Sequence, residues 1–279
     1  MKFFRCTILC VALTLPAAVL AQAREEARLL VCTQVVEEMT AMPDQGVPDW
    51  LLARAHGIAV VPDVVKVGLG IGGRRGKGVL VVRDQQGRWS NPVFITLTGG
   101  SFGWQAGVQS TDVILVFTSA AGVQGITDGK MTLGADASVA AGPVGRQASA
   151  ATDPNLSAEV YSYSRAMGLF AGVAIDGTAI TIDRKGNAAF YNKRDVTAEE
   201  IMIAGSVTAP PSAERYLSTL DQATRTASAA PATPAAGEAP SAPASNPTDP
   251  AVGAPTPESG AGAKTFPMED PNPGQEPPG

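Results

Sequence analysis

Residues 57–118 read GIAVVPDVVKVGLGIGGRRGKGVLVVRDQQGRWSNPVFITLTGGSFGWQAGVQSTDVILVFT, and the pattern of this stretch decides the fold. Short β-branched or aromatic runs (Ile58–Val61, Val64–Leu69, Val79–Arg83, Val93–Thr98, Phe102–Gln109, Val113–Thr118) are divided by Gly, Asp and Asn, the texture of strands. Asp84-Gln85-Gln86-Gly87 has the residue types of a hairpin turn. The texture continues in Lys130–Ala141, Val160–Ser164, Gly168–Ile175 and Ala179–Asp183, with Asp183-Arg184-Lys185-Gly186-Asn187 read as a second hairpin turn. Eighteen glycines fall between Gly57 and Gly145, a density that fits bulges, tight bends and close strand packing rather than a doubly wound nucleotide fold.

Helices flank this region. Leu29, Cys32, Val36 and Met39 recur at helical spacing within Arg24–Met42, with Glu25, Glu26, Glu37 and Glu38 elsewhere on the cylinder. Pro48–Ala55 reads as a short second helix ending before Gly57, with His56 at its C-terminal end. Thr197–Ala204 opens with a capping box, and Ser212–Thr224 starts with Ser-Ala-Glu-Arg. The class is α+β: a glycine-rich, mostly antiparallel sheet core flanked by a few helices.

Both ends differ in composition from this core. Lys2 and Arg5, the apolar run Ile8–Leu15, Pro16 and the Val19-Leu20-Ala21 site make residues 1–21 a signal peptide cleaved near Ala21. The expected destination is the periplasm or the cell envelope. Cys6 and Cys10 leave with it, so the mature chain keeps Cys32 alone, a small buried hydrophobe of the first helix. Residues 223–279 hold 13 prolines and 14 alanines with Phe266 the sole aromatic, too little apolar surface to offset chain entropy. The expected organisation is signal peptide 1–21, domain 22–222 and disordered tail 223–279.

Charge and motif chemistry exclude several functions. A formal charge of −5 lacks the basic excess of a nucleic-acid-coating protein. One histidine and scattered carboxylates assemble no ordinary zinc cluster, and no cofactor is expected. Gly68-Leu69-Gly70-Ile71-Gly72-Gly73 matches a dinucleotide fingerprint, but a strand rather than a helix follows, so no helix dipole faces a pyrophosphate. Gly99-Gly100-Ser101-Phe102-Gly103 matches a nucleophile elbow, which needs a helix after the serine and a downstream histidine. The sole histidine, His56, lies upstream. A serine hydrolase built on Ser101 is therefore the least favoured reading, and the chain is read as no enzyme.

An ordered series of motifs carries more information than any one of them. His56-Gly57-Ile58-Ala59-Val60-Val61-Pro62, Lys66-Val67-Gly68, Gly87-Arg88-Trp89-Ser90-Asn91-Pro92 and Gly99–Gly107 are followed by Gly142-Pro143-Val144-Gly145-Arg146, Tyr161-Ser162-Tyr163-Ser164 and Gly168-Leu169-Phe170-Ala171-Gly172. Over roughly residues 25–222 the chain resembles the SYLF family, also called the Ysc84 actin-binding domain family. The resemblance implies a lipid-binding module: eukaryotic members bind phosphoinositide-containing membranes, some bind and bundle actin, and relatives use an N-terminal amphipathic helix at the membrane. A bacterial exported member is the expected form.

The residues supply a matching candidate site. Arg74, Arg75 and Lys77 sit in a glycine-rich stretch read as a turn able to approach an anionic headgroup, with Lys66 and Arg83 on flanking strands. Each basic residue near an anionic surface contributes about 1 kcal/mol, so three give reversible, salt-sensitive binding. The expected partner is an anionic phospholipid membrane. The alternative is an envelope scaffold in which the same cations meet an acidic protein.

Overall fold

The computed structural model describes residues 17–42, 46–127, 129–144, 158–166, 168–203 and 205–229. Two long strands dominate it. β1 (Gly57–Val82) and β2 (Val93–Phe117) pair antiparallel from Gly57 opposite Phe117 to Leu80 opposite Val93. The expected turn joins them: Gly87 donates to the Asp84 carbonyl at 3.0 Å with φ of 78°, and the Asp84 carboxylate accepts from the amides of Gln86 and Arg88. Six expected strands are thus two, and the glycine-rich stretch between Leu69 and Val79 is strand rather than turn.

An extended strand of this length would span roughly 80 Å at about 3.3 Å per residue. Yet the amide of Arg83 donates to the carbonyl of His56 at 2.8 Å, so the strand doubles back until its two ends are neighbours. Register shifts between Val61 and Val64 and between Gly68 and Gly70 mark where the ladder yields, as bulges do. At the first, Asp63 takes φ of 49° and its amide donates to Asp112 Oδ1 at 3.0 Å. Glycine makes the doubling possible. A Cβ on Gly78 would lie 2.0 Å from the Val60 carbonyl oxygen, and one on Gly76 2.7 Å from side-chain carbons of Val61 and Val64.

The rest of the sheet grows from β2. β7 (Thr178–Ile182) pairs with Ile95–Gly99 and carries β3 (Lys130–Thr132). β5 (Val160–Ala166) pairs with Asp112–Phe117, and β4 (Val139–Ala141) and β6 (Leu169–Gly172) lie on it. The β4–β5 pairing is parallel and the other strand pairings are antiparallel. The last three motifs of the series meet here as packing. A Cβ on Gly142 would lie 2.0 Å from the Tyr163 ring, one on Gly172 2.1 Å from the Gly142 carbonyl, and Tyr163 donates to the Pro143 carbonyl.

Six helices accompany this sheet among the described residues: α1 (Ala17–Ala41), α2 (Asp49–Ala53), α3 (Ala121–Thr127), α4 (Arg184–Phe190), α5 (Ala198–Met202) and α6 (Pro211–Ala229), the last packing against α1 and α2. The expected α+β class, a mostly antiparallel sheet with helices, is observed. Leu29, Cys32, Val35, Val36 and Met39 of α1 are buried, each large side chain contributing roughly 1.5–3 kcal/mol. Burial pushes the Cys32 thiol far up and leaves it protonated. The capping box at Thr197 and Glu200 is present.

α4 replaces the hairpin turn expected at 183–187. Asp183 caps it by accepting from the Gly186 amide, and buried Asn187 turns inward to accept from the Phe94 amide at 2.8 Å and donate to the Phe94 carbonyl at 3.3 Å. A side chain there takes the place of a neighbouring strand. α1 starts at Ala17 and passes through Ala21. Residues 1–16 and 230–279, most of the expected signal and tail, lie outside the described residues. α6 runs to Ala229 with Ala223 and Thr224 buried, so 223–229, assigned from composition to the tail, are helical.

Candidate functional site

Strand geometry separates the five expected cations. Successive side chains in a strand point to opposite faces, so Arg74 and Arg75 leave β1 in opposite directions while Arg75 and Lys77 share a face. This corrects the expectation of three adjacent cations on one glycine turn. Residues 70–80 stand in register with 93–103, and that pairing fixes which way each side chain leaves.

Lys77 is committed to the fold. Its ammonium donates to Asp183 Oδ2 at 2.5 Å, and the other carboxylate oxygen accepts from the Gly186 amide at 3.1 Å. Burial by itself would raise the Asp183 carboxyl, but the Lys77 ammonium and the Gly186 amide outweigh it and hold the group below the usual carboxylate range. Arg83 is also engaged: Nη1 donates to the Ala53 carbonyl at 3.1 Å and the guanidinium stacks 4.5 Å from the centre of the Trp89 ring. Arg74 is half-buried, with its Cγ against Gly99 and its Nε enclosed, and that burial lowers its pKa. Arg75 and Lys66 are exposed and, among the described residues, form no ion pair.

Lys66 belongs to a feature that composition did not reveal. β2 is flanked by β7 along Ile95–Gly99 and by β5 along Asp112–Phe117. Between them, Gly100–Thr111 pairs with β1 alone among the described residues, leaving a two-stranded ribbon. Val67 stands opposite Val108 and Val65 opposite Ser110, which puts the three valines on one face. They are 40%, 51% and 73% exposed for Val65, Val67 and Val108. Lys66, opposite Gln109, lies on the other face. The signal was present in the alternation Val65-Lys66-Val67, but recognising it requires the register of two segments forty residues apart.

The other sequence patterns resolve into strand. Ser101 stands inside β2 opposite Gly72, so the strand-to-helix turn of a nucleophile elbow is not formed. Gly68–Gly73 likewise continues as strand. His56 extends the sheet through its backbone, donating to the Phe117 carbonyl at 2.7 Å, while Arg54 takes the C-cap of α2.

A family model described as "Ysc84: Las17-binding protein actin regulator" matches residues 98–223, from the ribbon strand of β2 to α6. The chain carries a Ysc84 (SYLF) domain. It is 38% identical over 181 residues to Protein YSC84 of Saccharomyces cerevisiae, covering 64% of this chain and 38% of the yeast protein. It is 35% identical over 181 residues to LAS seventeen-binding protein 3 of that species, covering 64% of this chain and 39% of the yeast protein. SH3 domain-containing YSC84-like protein 1 of Xenopus laevis is 30% identical over 211 residues, 75% of this chain and 62% of the relative. The chain therefore spans between 38% and 62% of these relatives' lengths. In this Ysc84 domain the motif residues Gly142, Pro143, Tyr163 and Gly172 meet in packing contacts, whereas Lys66-Val67-Gly68 lies with the exposed valines on the unsupported part of the hairpin. No helix among the described residues is long and apolar enough to cross a membrane.

Proposed function

We propose that this Ysc84 domain is a non-catalytic module, exported to the cell envelope by its signal-like N-terminus, that binds anionic phospholipid surfaces reversibly. The observation that carries the reading is the ribbon, three exposed valines on one face with Lys66 on the other and Arg75 exposed further along β1. Two cations near an anionic surface supply about 2 kcal/mol, too little for attachment alone. Full burial of a valine contributes roughly 1.5–3 kcal/mol, so three partly exposed ones supply the larger share. Long cationic stems reach headgroups while apolar neighbours sit deeper. The apolar face of α1 supports the sheet, which favours the ribbon over that helix as the inserting element.

A second reading rests on the comparisons. Relatives bear names that state binding to Las17, and a ribbon with unpaired edges suits a protein that adds a strand. Flotation with vesicles of increasing phosphatidylglycerol content separates the two. The lipid reading expects the protein to float with anionic vesicles and the Val65→Ser, Val67→Ser, Val108→Ser variant to remain at the bottom. Absence of flotation at every anionic fraction rejects it and leaves the protein-partner reading.

A further inference from the structure

A cavity of about 610 Å³ lies beside α4 and α5, within the roughly 300–1,000 Å³ of small-molecule sites. Its lining includes Arg184, Lys185, Arg194, Asp195, Glu199 and Ile182. It is separate from the ribbon: Ile182 pairs with Ile95, whereas the ribbon begins beyond Gly99 at the other end of β7.

The charges around this cavity are left open while neighbouring ones are not. Lys193 pairs with Glu200 at 3.1 Å, and Asp183, next to Arg184, is taken by Lys77 and Gly186. Arg184, Lys185 and Arg194 form no ion pair among the described residues, although Asp195 and Glu199 line the same space. The frame is fixed in advance. Asn187 clamps α4 to Phe94, Tyr191 donates to the Pro92 carbonyl at 2.7 Å, and Phe190 packs 4.9 Å from the Phe94 ring. The backbone carrying these cations is thus fixed, while the exposed side chains of Arg184, Lys185 and Arg194 are free to turn toward an anion.

We infer that this cavity binds a phosphate ester bearing hydroxyl or ammonium groups. The phosphate meets Arg184, Lys185 and Arg194, in which guanidinium forks match its oxygens. Asp195 and Glu199 accept from the ligand's own donors, which a bare inorganic anion lacks. The source is either a free ester or a lipid headgroup, since both present this chemistry.

Calorimetric titration of the full chain with glycerol 3-phosphate tests the site, with sulfate as the comparison anion. Saturable binding of the ester, weaker binding of sulfate and a loss of roughly tenfold or more in Arg184→Ala, Arg194→Ala are expected. Both arginines are exposed, so the fold should survive, and Arg225→Ala, at an exposed arginine of α6 outside both the cavity and the ribbon, should bind as the parent does. Vesicles containing phosphatidylglycerol identify the source: displacement by glycerol 3-phosphate assigns a headgroup, and undisturbed vesicle binding beside a calorimetric signal assigns a free ester. Absence of saturable heat, equal binding of sulfate, or affinity unchanged in the double variant overturns the inference. The calorimetric outcomes do not depend on the ribbon valines, so they separate failure of this site from failure of the ribbon.

Discussion

The ammonium of Lys77 and the carboxylate of Asp183 meet at 2.5 Å, joining β1 to the cap of α4 across 106 positions of sequence. The contact makes an apparent surface cation part of the scaffold. Asp183 is 9% exposed and Lys77 39%, so removing the lysine leaves a mostly enclosed carboxylate without its counter-charge. Lys77→Gln should cost about 1–2 kcal/mol in chemical denaturation, the partial exposure of the lysine keeping it below a fully buried pair. Flotation of the folded variant should match the parent.

The same contact sets an acid limit. An unfolded aspartate titrates near roughly 3.9, and in the fold Asp183 lies lower. Its contribution is complete above that unfolded value and disappears as pH falls through the folded one. Melting temperatures measured from pH 5 down to pH 2 should fall more steeply for the parent than for Asp183→Asn, which keeps a side chain able to cap α4. Parallel curves would remove Asp183 from the acid response.

Gly78→Ala places a Cβ 2.0 Å from a backbone carbonyl oxygen, where no side chain can swing aside. The expected loss is about 3 kcal/mol or more in a denaturant titration. Gly73→Ala is the internal comparison, since its nearest neighbour would be at 3.9 Å and the change should stay within about 0.5 kcal/mol.

Asn187→Ala strips the Phe94 amide of its acceptor inside the core. An unpaired buried amide costs roughly 1–3 kcal/mol, so the variant should lose that much stability and exchange the Phe94 amide proton faster by NMR. Asn187→Leu should not restore it.

Cys32 should resist thiol reagents in the folded protein at pH 8 and react once denatured, mapped to that residue by peptide mass spectrometry. It is fully buried, its sulfur lies 3.6 Å from the Val60 carbonyl, and its pKa is raised by that burial.

The sequence disclosed the class of fold because alternation and turn chemistry are local. Asp84–Gly87 and the Thr197 capping box occur as the residues predict. Glycine was the ambiguous letter. Between Leu69 and Val79 it reads as a turn, yet at Gly76 and Gly78 it serves contact with Val60, Val61 and Val64, which no local window contains. Asp183–Asn187 misled for a related reason, since its polar residues look outward until Asn187 is seen inside against Phe94. Adjacent cations looked like one patch, but neighbours on a strand point apart. The valine face needed the partner strand's register, and the cavity cations needed the turn after α4 to bring Arg194 near Arg184 and Lys185.

The doubling of β1 also acts as a ruler. Gly76 and Gly78 must arrive beside Val61 and Val60, so the count of residues between the two contacts is pinned from both sides. Deleting or adding one residue there would invert every later side chain, turning Lys77 away from Asp183 and driving Arg75 toward the interior. Evolution is therefore free to repaint this stretch but not to resize it.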